Sequence, residues 1–438
     1  KRRWKARRGP VPVALEVPIQ NLIFDRVRML IANRYRFLTL LLVLCLAPAV
    51  VFGATTKKKK KRATAAQPAA SAAAKAPVKK SAAHARTVAA HAPVTHNTAK
   101  TRARRAVWSP WTEPTFADST SHDFIDGEDL TVRRAAVQAL GPFNGSVVVV
   151  DPNNGRVLSM VNQKLALKSG FQPCSTIKVV AALAGLSEGT VERNSYVRIY
   201  GRTRMGLTEA LAHSNNYYFA KVGENLGFDK VSYYARLFGL GEKAGLDIAG
   251  EEPGTLPAAT PSLGMGMMTS FGSGITLTPL ELAGLMSAIA NGGTLYYLQY
   301  PRSNEQVSKF SPRVKRHLDI APYIPEIKPG MMGAVEYGTA RRANYDPNEP
   351  ILGKTGTCTD ERTPTHLGWF GSFNDVGRNK LVVVVLLTGG KPVNGPVASG
   401  IAGQVYKNLS KVNYFNVDRG QPMAFVSTGK CCTAGAGQ

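Results

Sequence analysis

The chain has 438 residues, 44% of them hydrophobic, which suits one large folded domain or two average ones. Its formal net charge of +26 is unevenly spread: residues 1–116 hold 24 Lys/Arg against 3 Asp/Glu, and the rest holds 31 against 26. That distribution excludes a uniformly basic nucleic-acid binder, and five cysteines without a C-x-x-C pair argue against a zinc site, so no nucleic acid, metal or cofactor is expected.

In chain order, residues 1–36 form a basic segment and 37–54 an uncharged run, FLTLLLVLCLAPAVVFGA. The run has the length of a bilayer span or of a signal peptide's apolar region. Arg34 and Arg36 precede it, as the positive-inside tendency expects. The chain ahead of it is long for a signal peptide; a translation start at Met29 would leave an ordinary secretory signal. The stretch 55–129 is read as a linker, rich in Ala, Lys, Thr and Pro up to about Arg105, where it lacks the apolar surface to fold alone. Its KKKKKR at 57–62 opposes export of the preceding run. Globular character begins near Trp108 and is firm by Leu130, so 130–415 is taken as the folded domain and 416–438 as a tail. Within the domain, GSVVVVDPNNGRVLSMV (145–161) predicts a hairpin. A helix follows Pro173, LTPLELAGLMSAIANGG (277–293) predicts another, KLVVVVLLT (380–388) a buried strand and GIAGQVYKNLSK (400–411) a closing helix.

Three short motifs occur in order: Ser175-Thr176-Ile177-Lys178, Ser214-Asn215-Asn216 and Lys354-Thr355-Gly356-Thr357. Each is weak alone; the ordered set is not. Ser175 falls in the first turn of a helix, where the terminus favours an alkoxide-like nucleophile. Lys178, three residues on, shares its face and can act as base if held in a dry cleft. Ser214 can relay a proton to the leaving amine, and Asn216 can hold a substrate amide. Lys354 supplies positive charge for a carboxylate. Gly356 admits close backbone approach, and Thr355 and Thr357 add hydroxyls along that edge. The N–H groups of Ser175 and Thr357 form a candidate oxyanion hole.

These motifs and their surroundings resemble the transpeptidase domain of penicillin-binding proteins. FQPCSTIKVVAALAGLSEG (171–189) is similar to that family's Pro-Gly-Ser-Thr-x-Lys helix, with Cys174 in place of the usual Gly. The segments 207–227, 237–257, 270–293 and 337–357, and WFGSF (369–373), match in the same way, so the resemblance covers about 130–411. It implies an α+β fold: an antiparallel five-stranded sheet flanked by helices, plus an all-helical subdomain, with the cleft between them. It also implies a serine D,D-transpeptidase or D,D-carboxypeptidase that acts on D-Ala-D-Ala ends of peptidoglycan stem peptides and is acylated by β-lactams. The catalytic residues would be Ser175, Lys178, Ser214 and Lys354, and the substrate-binding residues Asn216, Thr355, Gly356 and Thr357. An exported protein, periplasmic or at the cell surface, would be held to the membrane by 37–54 if that run is uncleaved. The basic linker would then touch anionic lipid or wall polymer, or serve only as a solvated spacer. The short Lys178–Ser214 stretch and the linker in place of a companion domain suggest a pared-down transpeptidase unit.

The resemblance places Cys174 and Cys358 opposite each other on the cleft floor, and the same positions are bridged in some class A β-lactamases. A Cys174–Cys358 disulfide is therefore expected in an exported protein. Two rival readings stay open. A β-lactamase would share the scaffold, but no Glu-x-x-Leu-Asn segment is present to activate a deacylating water. A β-lactam sensor or idle scaffold would not need three intact motifs. Glu251, Glu252 and Glu281 are read as structural, His213 as a cleft-edge side chain, Trp369 and Phe370 as sheet packing, and Asp360-Glu361-Arg362 as a solvated turn.

Overall fold

The computed structural model describes residues 110–416. The segments 1–36 and 37–54, the linker up to 109 and the tail from 417 lie outside the described residues. No helix among those described is long and apolar enough to cross a membrane.

Helix α1 (Leu130–Leu140) starts at Asp129, whose carboxylate accepts from the backbone of Thr131 and Val132. Strands β1 (Gly145–Val150) and β2 (Val157–Val161) form the expected antiparallel hairpin, followed by a single turn, α2 (Gln163–Ala166). A 3₁₀ turn, Cys174–Ile177, runs straight into α3 (Lys178–Ser187). A small hairpin, β3 (Tyr196–Tyr200) and β4 (Thr203–Gly206), leads to α4 (Leu207–Ala212), α5 (Asn216–Leu237) and α6 (Gly264–Phe271). Helix α7 (Pro279–Ala290) is followed by β5 (Thr294–Tyr296), α8 (Asn304–Ser308), β6 (Val314–His317) and α9 (Ile324–Glu336). The chain closes with β7 (Ile351–Thr359), β8 (His366–Asn374), β9 (Val382–Gly389) and α10 (Gly395–Ser410).

The main sheet has five antiparallel strands in the order β2-β1-β9-β8-β7. Its central strands read as unbroken apolar runs because both faces are covered, and alternate residues serve opposite cores. Val148, Val384 and Leu386 pack with α7 and α3. Val147, Val149, Val383, Val385 and Leu387 pack with α1 and α10. Every residue of α7 is buried, and it starts with Pro279 and a capping box between Thr278 and Glu281. Each fully buried Leu or Ile of such a helix contributes about 1.5–3 kcal/mol of transfer free energy.

Two expectations are corrected. The helical layer of α3, α4, α5 and α6 is not all-helical; it carries the β3–β4 hairpin, whose Val197, Ile199 and Met205 pack on the core. Residues 110–129, assigned from sequence to the linker, are bound to the domain. Thr112 N–H donates to the Pro364 carbonyl, and Asn144 N–H to that of Thr115. Asp123 pairs with Arg133 at 2.6 Å, and buried Glu128 accepts from Met160 N–H and the Tyr300 hydroxyl, both at 2.8 Å. The stretch is irregular but anchored by polar partners, a pattern that composition alone does not disclose.

Candidate active site

The 3₁₀ turn sets the first two functional side chains. With three residues per turn, positions i and i+3 eclipse, and Lys178 Nζ lies 2.5 Å from Ser175 Oγ. The same amine donates to Asn216 Oδ1 at 2.8 Å and to the Ser270 carbonyl at 2.6 Å. Lys178 is wholly buried, and Ser175 keeps 7% of its surface exposed. Burial, and secondarily the charge of Lys354, holds the Lys178 amine well below the usual lysine range.

The second motif sits at a helix junction. Ser214 takes a left-handed φ of 54° between α4 and α5. Asn215 caps α5 by accepting from Tyr218 N–H at 2.9 Å, which leaves Asn216 to face Lys178. With its carbonyl oxygen committed there, the Asn216 amide N–H₂ is the group available to a ligand.

The third motif lies on β7, the edge strand of the sheet. Lys354 is fully buried and donates to Ser214 Oγ at 2.7 Å and to the Thr355 carbonyl at 3.0 Å. Burial pushes its amine down to about 7. Among the described residues, no carboxylate is one of the groups that shift either lysine. Thr355 Oγ1 shares a 2.7 Å hydrogen bond with Thr339 Oγ1. Thr357 Oγ1 accepts from Gly395 N–H at 2.8 Å, so that hydroxyl anchors the start of α10 as well as lining the cleft. A Cβ on Gly356 would stand 3.0 Å from the Pro173 carbonyl oxygen and 3.2 Å from Cys174 Cβ, so glycine lets β7 close on the turn that carries Ser175. As an edge strand, β7 offers backbone groups for an extended peptide to pair with.

Ser175, Ser214, Asn216, Thr355 and Thr357 thus line one open cleft of about 240 Å³ with Phe271, Thr339 and Pro396. Lys178 and Lys354 lie beneath its wall. The Ser270 carbonyl, Phe271 and Thr339 were not singled out from sequence, although they fall in the family-like segments 270–293 and 337–357.

Cys174 and Cys358 are joined by a disulfide, with Cα atoms 5.5 Å apart. Cys174 has φ of 51°, a conformation that costs a non-glycine residue about 1–2 kcal/mol. Glycine would adopt this conformation without that cost, and the bridge holds Cys174 in it here. The Asp360-Glu361-Arg362 turn keeps Glu361 and Arg362 exposed, as expected, but is tied to the chain through Gln172. Asp360 is buried and accepts from Gln172 N–H at 3.1 Å. Glu361 accepts from Gln172 Nε2 at 3.1 Å and Ser273 Oγ at 3.0 Å. The turn is held because Gln172, three residues before the nucleophile, offers matching donors and acceptors. Trp369 and Phe370 are buried sheet residues, and His213 is exposed at the C-terminal end of α4 beside Glu209, at 3.3 Å.

Comparisons with known proteins agree with this geometry. Residues 145–411 match the family described as penicillin binding protein transpeptidase domain. Stage V sporulation protein D of Bacillus subtilis (strain 168) is 29% identical over 310 residues, covering 62% of this chain and 48% of that protein. Peptidoglycan D,D-transpeptidase MrdA of Haemophilus influenzae is 24% identical over 387 residues, covering 69% and 59%. Peptidoglycan D,D-transpeptidase PbpA of Mycobacterium tuberculosis is 27% identical over 315 residues, covering 57% and 63%. The chain therefore spans about half the length of the curated relatives it matches. The crystal structure of the D,D-transpeptidase domain of a peptidoglycan glycosyltransferase from Eggerthella lenta shares the fold, with a TM-score of 0.54 at 21% identity over 65% of this chain and 82% of that one. The chain belongs to the penicillin-binding protein transpeptidase domain family.

Proposed function

We propose that this protein is a serine acyl-transferase acting on D-Ala-D-Ala ends of peptidoglycan stem peptides, as a D,D-transpeptidase or D,D-carboxypeptidase, and that β-lactams acylate it. The observation that carries the reading is the buried Lys178 amine, without a carboxylate partner, 2.5 Å from Ser175 Oγ. An amine so desolvated is neutral enough to accept the serine proton.

In this reading Ser175 Oγ attacks the carbonyl carbon of the penultimate D-Ala while its proton passes to Lys178 Nζ. The oxyanion is received by the N–H groups of Ser175 and Thr357. The C–N bond then breaks, Ser214 passes a proton to the departing amine, and D-Ala leaves. An amine or water attacks the acyl-enzyme and frees Ser175. Asn216 holds the substrate amide, and the substrate backbone lies along Thr355, Gly356 and Thr357. Lys354 faces the terminal carboxylate; that negative charge raises its proton affinity, so binding charges the amine where it is needed.

The domain plan follows the sequence: a basic segment 1–36, a signal or anchor at 37–54, a basic linker, the catalytic domain and a tail from 416. Export would place Cys174 and Cys358 in an oxidising compartment. The linker, with its lysine run at 57–62, would hold anionic lipid or wall polymer. The test is incubation of the purified protein with a synthetic stem pentapeptide ending in D-Ala-D-Ala, with and without an amine acceptor. Release of D-alanine, and a ligated product when the amine is present, is expected. Absence of both from correctly folded protein contradicts the proposal.

A further inference from the structure

The β3–β4 hairpin has no part in that mechanism, yet its outer face is unusual. Tyr196, Arg198 and Tyr200 alternate along β3 and all point outward, with the tyrosines 67% and 77% exposed. The intervening Val197 and Ile199 point inward and fix the hairpin on the core with Met205. Arg204 on β4 stands directly opposite Arg198, and Arg202 is exposed at the turn. No acidic residue occurs between Glu192 and Glu209, and Arg193 is already paired with Glu326. Among the described residues, Arg198, Arg202 and Arg204 have no ion-pair partner.

Like charges directly opposite across a ladder destabilise it. The face therefore gains from an anionic ligand that neutralises the Arg198–Arg204 pair. Four residues of strand separate Tyr196 from Tyr200 by about 13 Å, a span that suits an extended polymer rather than a small ion. Arginine forks match carboxylates, and tyrosine rings give flat, amphipathic faces on which sugar rings can stack. No aliphatic side chain shares this face, so it lacks the apolar surface that insertion into a bilayer requires. β4 runs at Gly206 directly into α4 and on to Ser214, so a polymer on this strip lies on the element that delivers the second motif to the cleft.

We propose that the outer face of the β3–β4 hairpin is a docking strip for the carboxylate-bearing glycan–peptide polymer whose stem peptides enter the cleft. The proposal rests on the catalytic reading above for the identity of the polymer. Arg198, Arg202 and Arg204 bind its carboxylates, and Tyr196 and Tyr200 stack on its sugars.

Hydroxyl-radical footprinting of the full chain, read residue by residue by mass spectrometry, tests this without interference from the basic linker. The probes are soluble glycan–peptide fragments from purified cell wall, anionic phospholipid vesicles and a single-stranded oligonucleotide. The fragments are expected to protect Tyr196 and Tyr200. Arg198→Glu combined with Arg204→Glu should raise the fragment concentration for half-protection about tenfold, and Tyr196→Ala with Tyr200→Ala should weaken protection of Arg202 from arginine-specific labelling. Acylation by a small penicillin should be unchanged in both variants, which establishes that they are folded. No protection by the fragments, or protection by vesicles or oligonucleotide at equal or lower concentration, overturns the proposal. Failure of the wild-type chain to be acylated would instead remove the catalytic reading, while the footprint would still report the surface.

Discussion

Two of the buried regions that hold ionisable groups lie around Glu281 and beneath the cleft, and their difference separates scaffold from site. Glu281 lies inside α7 and accepts from the backbone N–H groups of Thr278 at 2.7 Å, Gly241 at 2.8 Å and Gly254 at 3.0 Å. Burial pushes its carboxyl up to about 7, against those donors. Lys354 is displaced to the same value from the other direction. A displaced pKa therefore does not by itself mark the site. The partners do: Glu281 is held by backbone amides and by Thr278, its partner in the cap of α7, whereas Lys178 meets Ser175 Oγ, and Lys354 meets Ser214 Oγ, both hydroxyls lining the cleft. Each buried amine faces a hydroxyl that can both give and take a proton.

The sharpest way to break the comparison is Lys178→Met, which keeps the volume and removes the base. The Ser175 acylation rate should fall about 10³-fold with the fold retained by circular dichroism; a loss below tenfold would contradict the role. Glu281→Ala should do the opposite. It strips three backbone donors of their acceptor and should cost about 3–4 kcal/mol in urea unfolding, while the folded fraction is acylated at the wild-type rate. Replacing Cys174 and Cys358 by serine should cost about 2–5 kcal/mol, with the upper end set by the long loop, the two cysteines lying 184 residues apart. Using Cys174→Gly instead should recover about 1 kcal/mol of that, because glycine accepts the positive φ.

The same comparison can be read in pH dependence. From its ordinary 4.5 to about 7, unfolded Glu281 is ionised while the folded carboxyl keeps its proton, so its contribution to stability falls as pH rises. From about 7 to the ordinary 10.5, unfolded Lys354 is protonated while the folded amine is not, so its contribution rises with pH. Denaturation across this range should show the first slope flattened by Glu281→Gln and the second by Lys354→Met.

Much of this was legible in the sequence for local reasons. The spacing of Ser175 and Lys178 places them on one face, and the valine runs of β1 and β9 announce strands buried on both sides. What escaped depends on contacts between distant segments. The Ser270 carbonyl that accepts from Lys178 comes from the end of α6, 92 residues away. The turn at 360–362 is polar and looks solvated until Gln172 meets it from 189 residues away. The polar stretch 110–129 has no periodicity, and its hold on the domain lies in single hydrogen bonds such as Asn144 to Pro114 at 3.0 Å.

The central claim is that Ser175 is the nucleophile. Intact-mass analysis of the protein incubated with a labelled penicillin, followed by peptide mapping, tests it most directly. A long-lived adduct on Ser175, absent from Ser175→Ala, is the predicted result. An adduct on another residue, or no adduct on folded protein, would contradict it.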